Sequence, residues 1–244
     1  VGRRLAVIHC QPAVSWQGPF ASKLVQGLHA RGLDTRVTED RMRHDEGFPI
    51  LLGTTFWRGI EADGGPYLLV DRCSFGDTNR FVSLVWNGHG RRGQHYEPEN
   101  PGPARWAQIG VPIRSWKPAG SRVVLCGQTE SYSPNYPNLH DWYRGVHATH
   151  FRRHPAGTNP TGLPEAGDFA DAIAVTLNSS IGVQCVLDGI PTITMDEGSM
   201  AWEVTGHALQ EVKKVEREPW AWRLAWTQWS HQEIQEGTPW AYLL

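Results

Sequence analysis

Short apolar runs alternate along the chain with stretches in which apolar residues recur every three or four positions, which is the pattern of strands interleaved with helices. Leu5–Cys10 is the first such run. After a turn-rich segment, Gln11–Gln17, the stretch Pro19–Arg31 places Phe20, Leu24, Val25 and Leu28 on one helical face and stops at Gly32. Thr35–Thr38, Phe48–Thr54, Tyr67–Val70 and Phe81–Trp86 read as further strands, with a short helix over Trp57–Ala62. Glu97–Pro118 holds five prolines and no sustained period, so it reads as a linker. The strand pattern restarts at Arg122–Cys126, followed by a polar loop over Gly127–Asn138, a helix over Leu139–Val146 and a basic strand over His150–His154. The clearest segment is Val175–Met195. There an apolar run meets Asn178-Ser-Ser180, then Ile181, Val183, Cys185, Val186 and Leu187 at helical spacing, then Gly189, Pro191 and a β-branched run: strand, helix, strand. The tail Pro219–Gln235 carries Trp222, Trp226 and Trp229 at helical spacing and is expected to be one amphipathic helix.

This order predicts an α/β protein with parallel sheets. At 244 residues the chain suits two compact Rossmann-like domains: residues 1–96, a linker over 97–118, a second domain over 119–218, and a C-terminal helix, 219–244, crossing back to the first domain. Hydrophobic residues make up 40%, enough for real cores, and no apolar window is long enough to span a membrane. The four cysteines are widely spaced without a CxxC pair, so buried thiols in a cytoplasmic protein are expected rather than a disulfide or zinc framework. Twelve tryptophans point first to aromatic packing. A net charge of −2 provides no global attraction to nucleic acid, although local basic clusters could.

Candidate chemistry gathers in the second half. Ser179 and Ser180 fall at a helix N-terminus, where unpaired backbone N–H groups and the positive end of the helix dipole suit a phosphate. An ordinary capped helix has the same look, so a second signal matters. Phe151-Arg-Arg-His-Pro155 supplies it, because guanidinium groups pair with phosphate and an imidazole can donate to it. The ordered pair, His-Pro followed by Ser-Ser-x-Gly-x-Gln and a closing Gly-x-Pro, resembles the nucleotide-sugar-binding half of GT-B glycosyltransferases. These are built from two Rossmann-like domains facing across a cleft, and bacterial capsule, sialic-acid and glycerol-phosphate transferases are among them. The resemblance implies that Arg153, His154, Ser179 and Ser180 grip the donor's phosphates and that Gln128 stands where such folds begin to grip the donor, with a UDP-sugar as the expected donor. It further implies that Gln184 stands where a ribose-binding glutamate is common, and that Asp196 and Glu197 hold donor-sugar hydroxyls. No isolated DxD lies in this half, so no obligatory metal is expected.

The first half lacks a GxGxxG fingerprint, which argues against a dinucleotide cofactor. Ligands of open α/β sheets bind beyond the carboxyl ends of strands, so Gln11 and Trp16 after the first strand become acceptor-side candidates, as do Asn87, His89, Arg91 and Arg92 in the glycine-rich basic loop. Asp71 and Asp77, at and after the fourth strand, are the candidate proton acceptors for the attacking hydroxyl. The tail string from Leu224 to Gly237 resembles the ends of tailed-phage proteins. That implies a 5-hydroxymethylpyrimidine in phage DNA as acceptor, with the enzyme acting inside an infected bacterial host; a monomer is expected. A saccharide acceptor, or a nucleotide- or DNA-binding protein without catalysis, are the competing readings.

Overall fold

The computed structural model describes residues 5–40, 42, 44, 46–54, 57–77, 79–128, 138–155 and 157–244, with the backbone alone for 57 and 58. The elements in order are β1 (Leu5–His9), α1 (Gln17–Ala30), β2 (Asp34–Thr38), β3 (Phe48–Leu52), α2 (Trp57–Ala62), β4 (Leu68–Arg72), β5 (Phe81–Trp86) and α3 (Pro103–Ile109). Then come β6 (Arg122–Cys126), α4 (Leu139–Gly145), β7 (His150–Arg152), β8 (Ala172–Thr176), α5 (Ser180–Leu187) and β9 (Thr192–Thr194). The chain closes with α6 (Glu218–Leu224), β10 (Gln228–Ser230), α7 (His231–Glu236) and α8 (Trp240–Leu243). It divides into two compact units, Val1–Ile109 with Ala221–Leu244, and Gly110–Trp220. Among the described residues no helix is long and apolar enough to cross a membrane.

Unit 1 holds a six-stranded sheet in the order β10-β5-β4-β3-β1-β2. β1 to β4 run parallel, β5 is antiparallel to β4, and β10 is antiparallel to β5. The central strands are apolar on both faces because both are covered. Ala6, Ile8, Ile50, Leu52, Leu68 and Val70 pack with Phe20, Leu24 and Leu28 of α1 and with Trp229, Ile234 and Trp240, whereas Leu51, Leu69 and Val85 pack with Ile60 and Tyr67. Gly27 lets α1 lie against the backbone of α7, since a Cβ there would collide with the Ile234 carbonyl.

Unit 2 holds a fully parallel sheet in the order β7-β6-β8-β9. Leu125, Phe151, Val175 and Ile193 meet Leu139 and Tyr143 of α4 on one face. Ala174 packs with Cys185 of α5 on the other. The cysteines at 10, 73, 126 and 185 are buried free thiols, and burial pushes Cys73 up to about 11 and Cys126 up to about 12.

The tail expectation fails and the linker stretch is more ordered than its composition suggests, both because the deciding contacts are distant in sequence. The proline-rich stretch contains α3, with Pro103 as its first residue and Trp106 buried against Phe75. Its later part runs along unit 2, where Arg114 N–H donates to Leu187 O at 2.8 Å and Lys117 N–H to Gly189 O at 2.7 Å. The tail is not one helix. It breaks after α6, and β10 joins the sheet beside β5, burying Trp229. Arg105 on α3 holds this tail in place. Its guanidinium donates to Ala225 O at 2.8 Å, Gln228 O at 2.6 Å and Glu233 Oε1 at 2.7 Å, and lies 4.8 and 4.3 Å from the Trp226 and Trp229 rings. Breaking a largely buried pair of this kind costs about 3 kcal/mol or more. Arg105→Ala should therefore lower unfolding stability by about that amount in urea titration, and Arg105→Lys should recover little of it because an ammonium lacks the planar fork. An unchanged midpoint for Arg105→Ala would contradict the clamp.

Candidate functional site

In unit 2 the chain passes from β6 to β7 on one side and returns to β8 on the other, so strand order reverses between β6 and β8. Parallel sheets bind ligands at the carboxyl ends of the strands flanking such a reversal. The loops leaving β6 and β8 there carry Gln128 and Asn178-Ser179. Ser179 caps α5, with extended backbone (φ −61°, ψ 145°) and Oγ accepting from Ile181 N–H at 3.4 Å. Ser180 is exposed in the first turn.

Gln128 is buried, and its backbone N–H donates to Tyr143 Oη at 2.7 Å. Turned with its oxygen toward α5, its amide accepts from the Asn178 and Ser179 N–H groups at 3.3 Å each. Asn178 Nδ2 donates to Asp196 Oδ2 at 3.5 Å, and Asp196 Oδ1 accepts from Gly198 N–H at 2.7 Å. Three strand ends are thereby tied together around the head of α5. Asn178 is the residue that sequence reasoning missed. Its place immediately before the two serines, at the end of an apolar strand, was the available signal.

The other donor-side candidates are more dispersed. His154 is half-buried beside Gly157, whose N–H donates to its carbonyl at 2.9 Å. Gly127, where a Cβ would stand 2.8 Å from the Phe151 ring and 3.3 Å from His154 N, permits that approach. Burial and the Arg152 charge hold the His154 imidazole below its ordinary value of 6.5, so at neutral pH it is an uncharged hydrogen-bonding group rather than a cation. Arg153 lies 3.7 Å from Glu165, with both side chains about half exposed. Gln184 donates to Asp188 Oδ2 at 3.1 Å, at the residue that follows α5, and Glu197 is exposed. Among the described residues no group of three or more His, Cys, Asp or Glu side chains is gathered as a metal site.

Unit 1 has its own reversal, between β1 and β3. Gln11 N–H donates to Gln17 Oε1 at 2.7 Å, and Trp16, half-buried against Phe20, lies beside Gly53 at the end of β3. Asp71 is the penultimate residue of the neighbouring strand β4. Its Oδ1 accepts from Arg72 N–H at 2.8 Å and its Oδ2 from His89 Nε2–H at 3.1 Å, with both side chains largely shielded. Two candidates from separate stretches therefore meet as a carboxylate–imidazole pair. Asp77 does not join them; its Oδ1 accepts from Asn79 N–H at 2.8 Å and its carbonyl from Arg80 N–H at 2.9 Å, an exposed turn.

The hairpin that presents His89 depends on its glycines and on Asn87. Asn87 adopts φ 53° and accepts from Tyr67 N–H at 3.0 Å, so its side chain builds the turn rather than facing a ligand. A Cβ on Gly88 would stand 2.6 Å from Gly93. His95 anchors the loop from below, its Nδ1 3.1 Å from Leu84 O and its Nε2 3.0 Å from Gly90 O. Arg91 and Arg92 are exposed at the tip.

No protein-family model matches the chain, and no curated protein matches it. Among solved structures it is similar to Thermosulfurimonas dismutans KpsC, a beta Kdo 2,7 transferase, at 12% identity over 98% of this chain and 100% of that chain, with a TM-score of 0.48.

The shielded imidazoles generate a pH prediction. Burial lowers His95, His154 and His231 from 6.5, aided by the Arg152 charge at His154 and the Lys23 charge at His231. Each binds its proton more readily in the unfolded chain, so stability is full above that value and is lost as pH falls below it. Urea midpoints measured from about pH 7.5 down to about pH 5.5 should decrease, and His154→Gln should flatten the slope. A midpoint that holds steady or rises on acidification would contradict the assignment.

Proposed function

We propose that the protein is a glycosyltransferase that moves a sugar from a nucleotide-sugar donor to an acceptor hydroxyl. The observation that carries this reading is the gathering of Gln128, Asn178, Ser179 and Asp196 around the head of α5 at the strand-order reversal of unit 2. The positive end of the helix dipole, hydroxyls and amides suit a diphosphate and its ribose, with Ser180 and neutral His154 as further donors. In the two-domain glycosyltransferase reading, unit 2 takes the donor and unit 1 the acceptor.

In the reaction, the acceptor oxygen forms a bond to the anomeric carbon while the bond from that carbon to the phosphate oxygen breaks, and the nucleotide leaves with the electron pair. The acceptor's proton goes to Asp71, which is preferred to Asp77 because His89 holds its carboxylate in place. The exposed Arg91 and Arg92 suit an anionic acceptor, hydroxymethylated DNA first and an acidic saccharide second.

A thermal-shift screen of nucleotide sugars identifies the donor, because stabilisation rises with ligand concentration over Kd. Mass analysis of hydroxymethylated DNA and of saccharides incubated with that donor then reads transfer. Asp71→Asn should reduce turnover about 100-fold or more while leaving donor affinity unchanged. Full turnover in Asp71→Asn would remove the base assignment, and the absence of any shift with every nucleotide sugar would remove the donor reading.

A further inference from the structure

Beyond β9 the chain loops out over residues 195–201 and returns so that Gly206 lies against the strand's open edge. Thr194 N–H donates to Gly206 O at 3.0 Å and Gly206 N–H to Thr192 O at 3.3 Å. His207 is thus brought level with the last residue of β9, where its Nδ1–H donates to Thr194 O at 3.3 Å and fixes the plane of the ring. The Trp202 indole lies on that imidazole with ring centroids 3.5 Å apart and planes 14° apart. Thr205 Oγ1, 2.6 Å from Thr194 Oγ1 and 3.1 Å from Ala201 O, anchors the turn between the two rings. This pair is half-buried, unlike Trp229 and Trp240, which are 1% and 2% exposed.

The stack stands at the same end of the sheet as the head of α5. Thr194, which holds His207, is also the residue whose methyl would lie 3.5 Å from a Cβ on Gly182 in the first turn of α5. Asp196, at the start of the loop, is bonded to Asn178 just before that helix. Two parallel flat rings, held rigidly and left partly open, gain most from a third flat ring, which adds area without ordering flexible side chains.

We infer that the Trp202–His207 stack is the subsite for the donor's nucleobase, which extends the stack as a third ring. The inference rests on the donor reading above. A sugar ring is the alternative occupant that the test separates.

Calorimetry with nucleoside diphosphates, inorganic pyrophosphate and free monosaccharides, on wild type, Trp202→Ala and Trp202→Phe, reads the subsite directly. Loss of one base-stacking contact should weaken nucleoside diphosphates about tenfold or more in Trp202→Ala. Pyrophosphate affinity should be unchanged, and Trp202→Phe should keep most of the wild-type affinity. Nucleoside diphosphates should also quench a tryptophan signal that is missing in Trp202→Phe, a readout that holds even if Trp202→Ala fails to fold. Equal weakening of pyrophosphate, unchanged nucleotide affinity without the missing quench, or a loss confined to monosaccharides would each overturn the subsite while leaving a donor site. If wild type binds neither nucleotides nor pyrophosphate, the donor reading falls and the subsite with it.

Discussion

The contact on which unit 2 depends is the seating of Gly182 against Thr176 and Thr194. A Cβ at this position would stand 3.0 Å from the Thr176 methyl, tighter than side chains normally pack, and 3.5 Å from the Thr194 methyl, an ordinary contact, so glycine lets the first turn of α5 settle onto the ends of β8 and β9 without displacing Thr176. That seating brings the N–H groups at the head of the helix to the point where strand order reverses. Ser179 and Gln128 supply acceptors for several of them, and Asn178 and Asp196 tie the neighbouring loops to the same spot. The site therefore depends on close packing, because a side chain at 182 would have to be accommodated by a shift of Thr176 beneath the helix.

Unit 1 solves a similar problem with a hairpin. Asp71 alone would be an ordinary carboxylate at a strand end; what sets it apart is an imidazole delivered from 18 residues away by a loop that only glycine and a left-handed asparagine can form. His95 reinforces that delivery from its half-buried position between the Leu84 and Gly90 carbonyls, with one ring N–H to donate. The tail contributes as well, since β10 and α7 complete the sheet and cover the face of α1, and Arg105 locks them there.

Local signals made much of this legible in the sequence. Val175–Met195 folds as its pattern dictates, because an apolar run, a serine cap and a glycine stop are decided within a few residues of one another. Ser179 as the cap of α5 was readable for the same reason. What escaped depends on contacts far apart in the chain. The tryptophan spacing of the tail fits a helix equally well, and only pairing with β5 decides that Trp229 lies in a strand. Pro103 belongs to a linker by composition and to a helix start by structure. The pairing of Asp71 with His89, and the engagement of Gln184 by Asp188 and of Arg153 with Glu165, are likewise settled by folding.

The most direct test of the central claim, that the head of α5 is where a donor nucleotide binds, is amide hydrogen exchange with and without the nucleotide sugar that raises the melting temperature most. Bound donor should slow exchange in the segment spanning residues 177–184 and in 196–207, because a ligand seated there would suppress the opening of the helix head and of the neighbouring loop. Strong binding with protection confined to other segments, and none at 177–184, would contradict it.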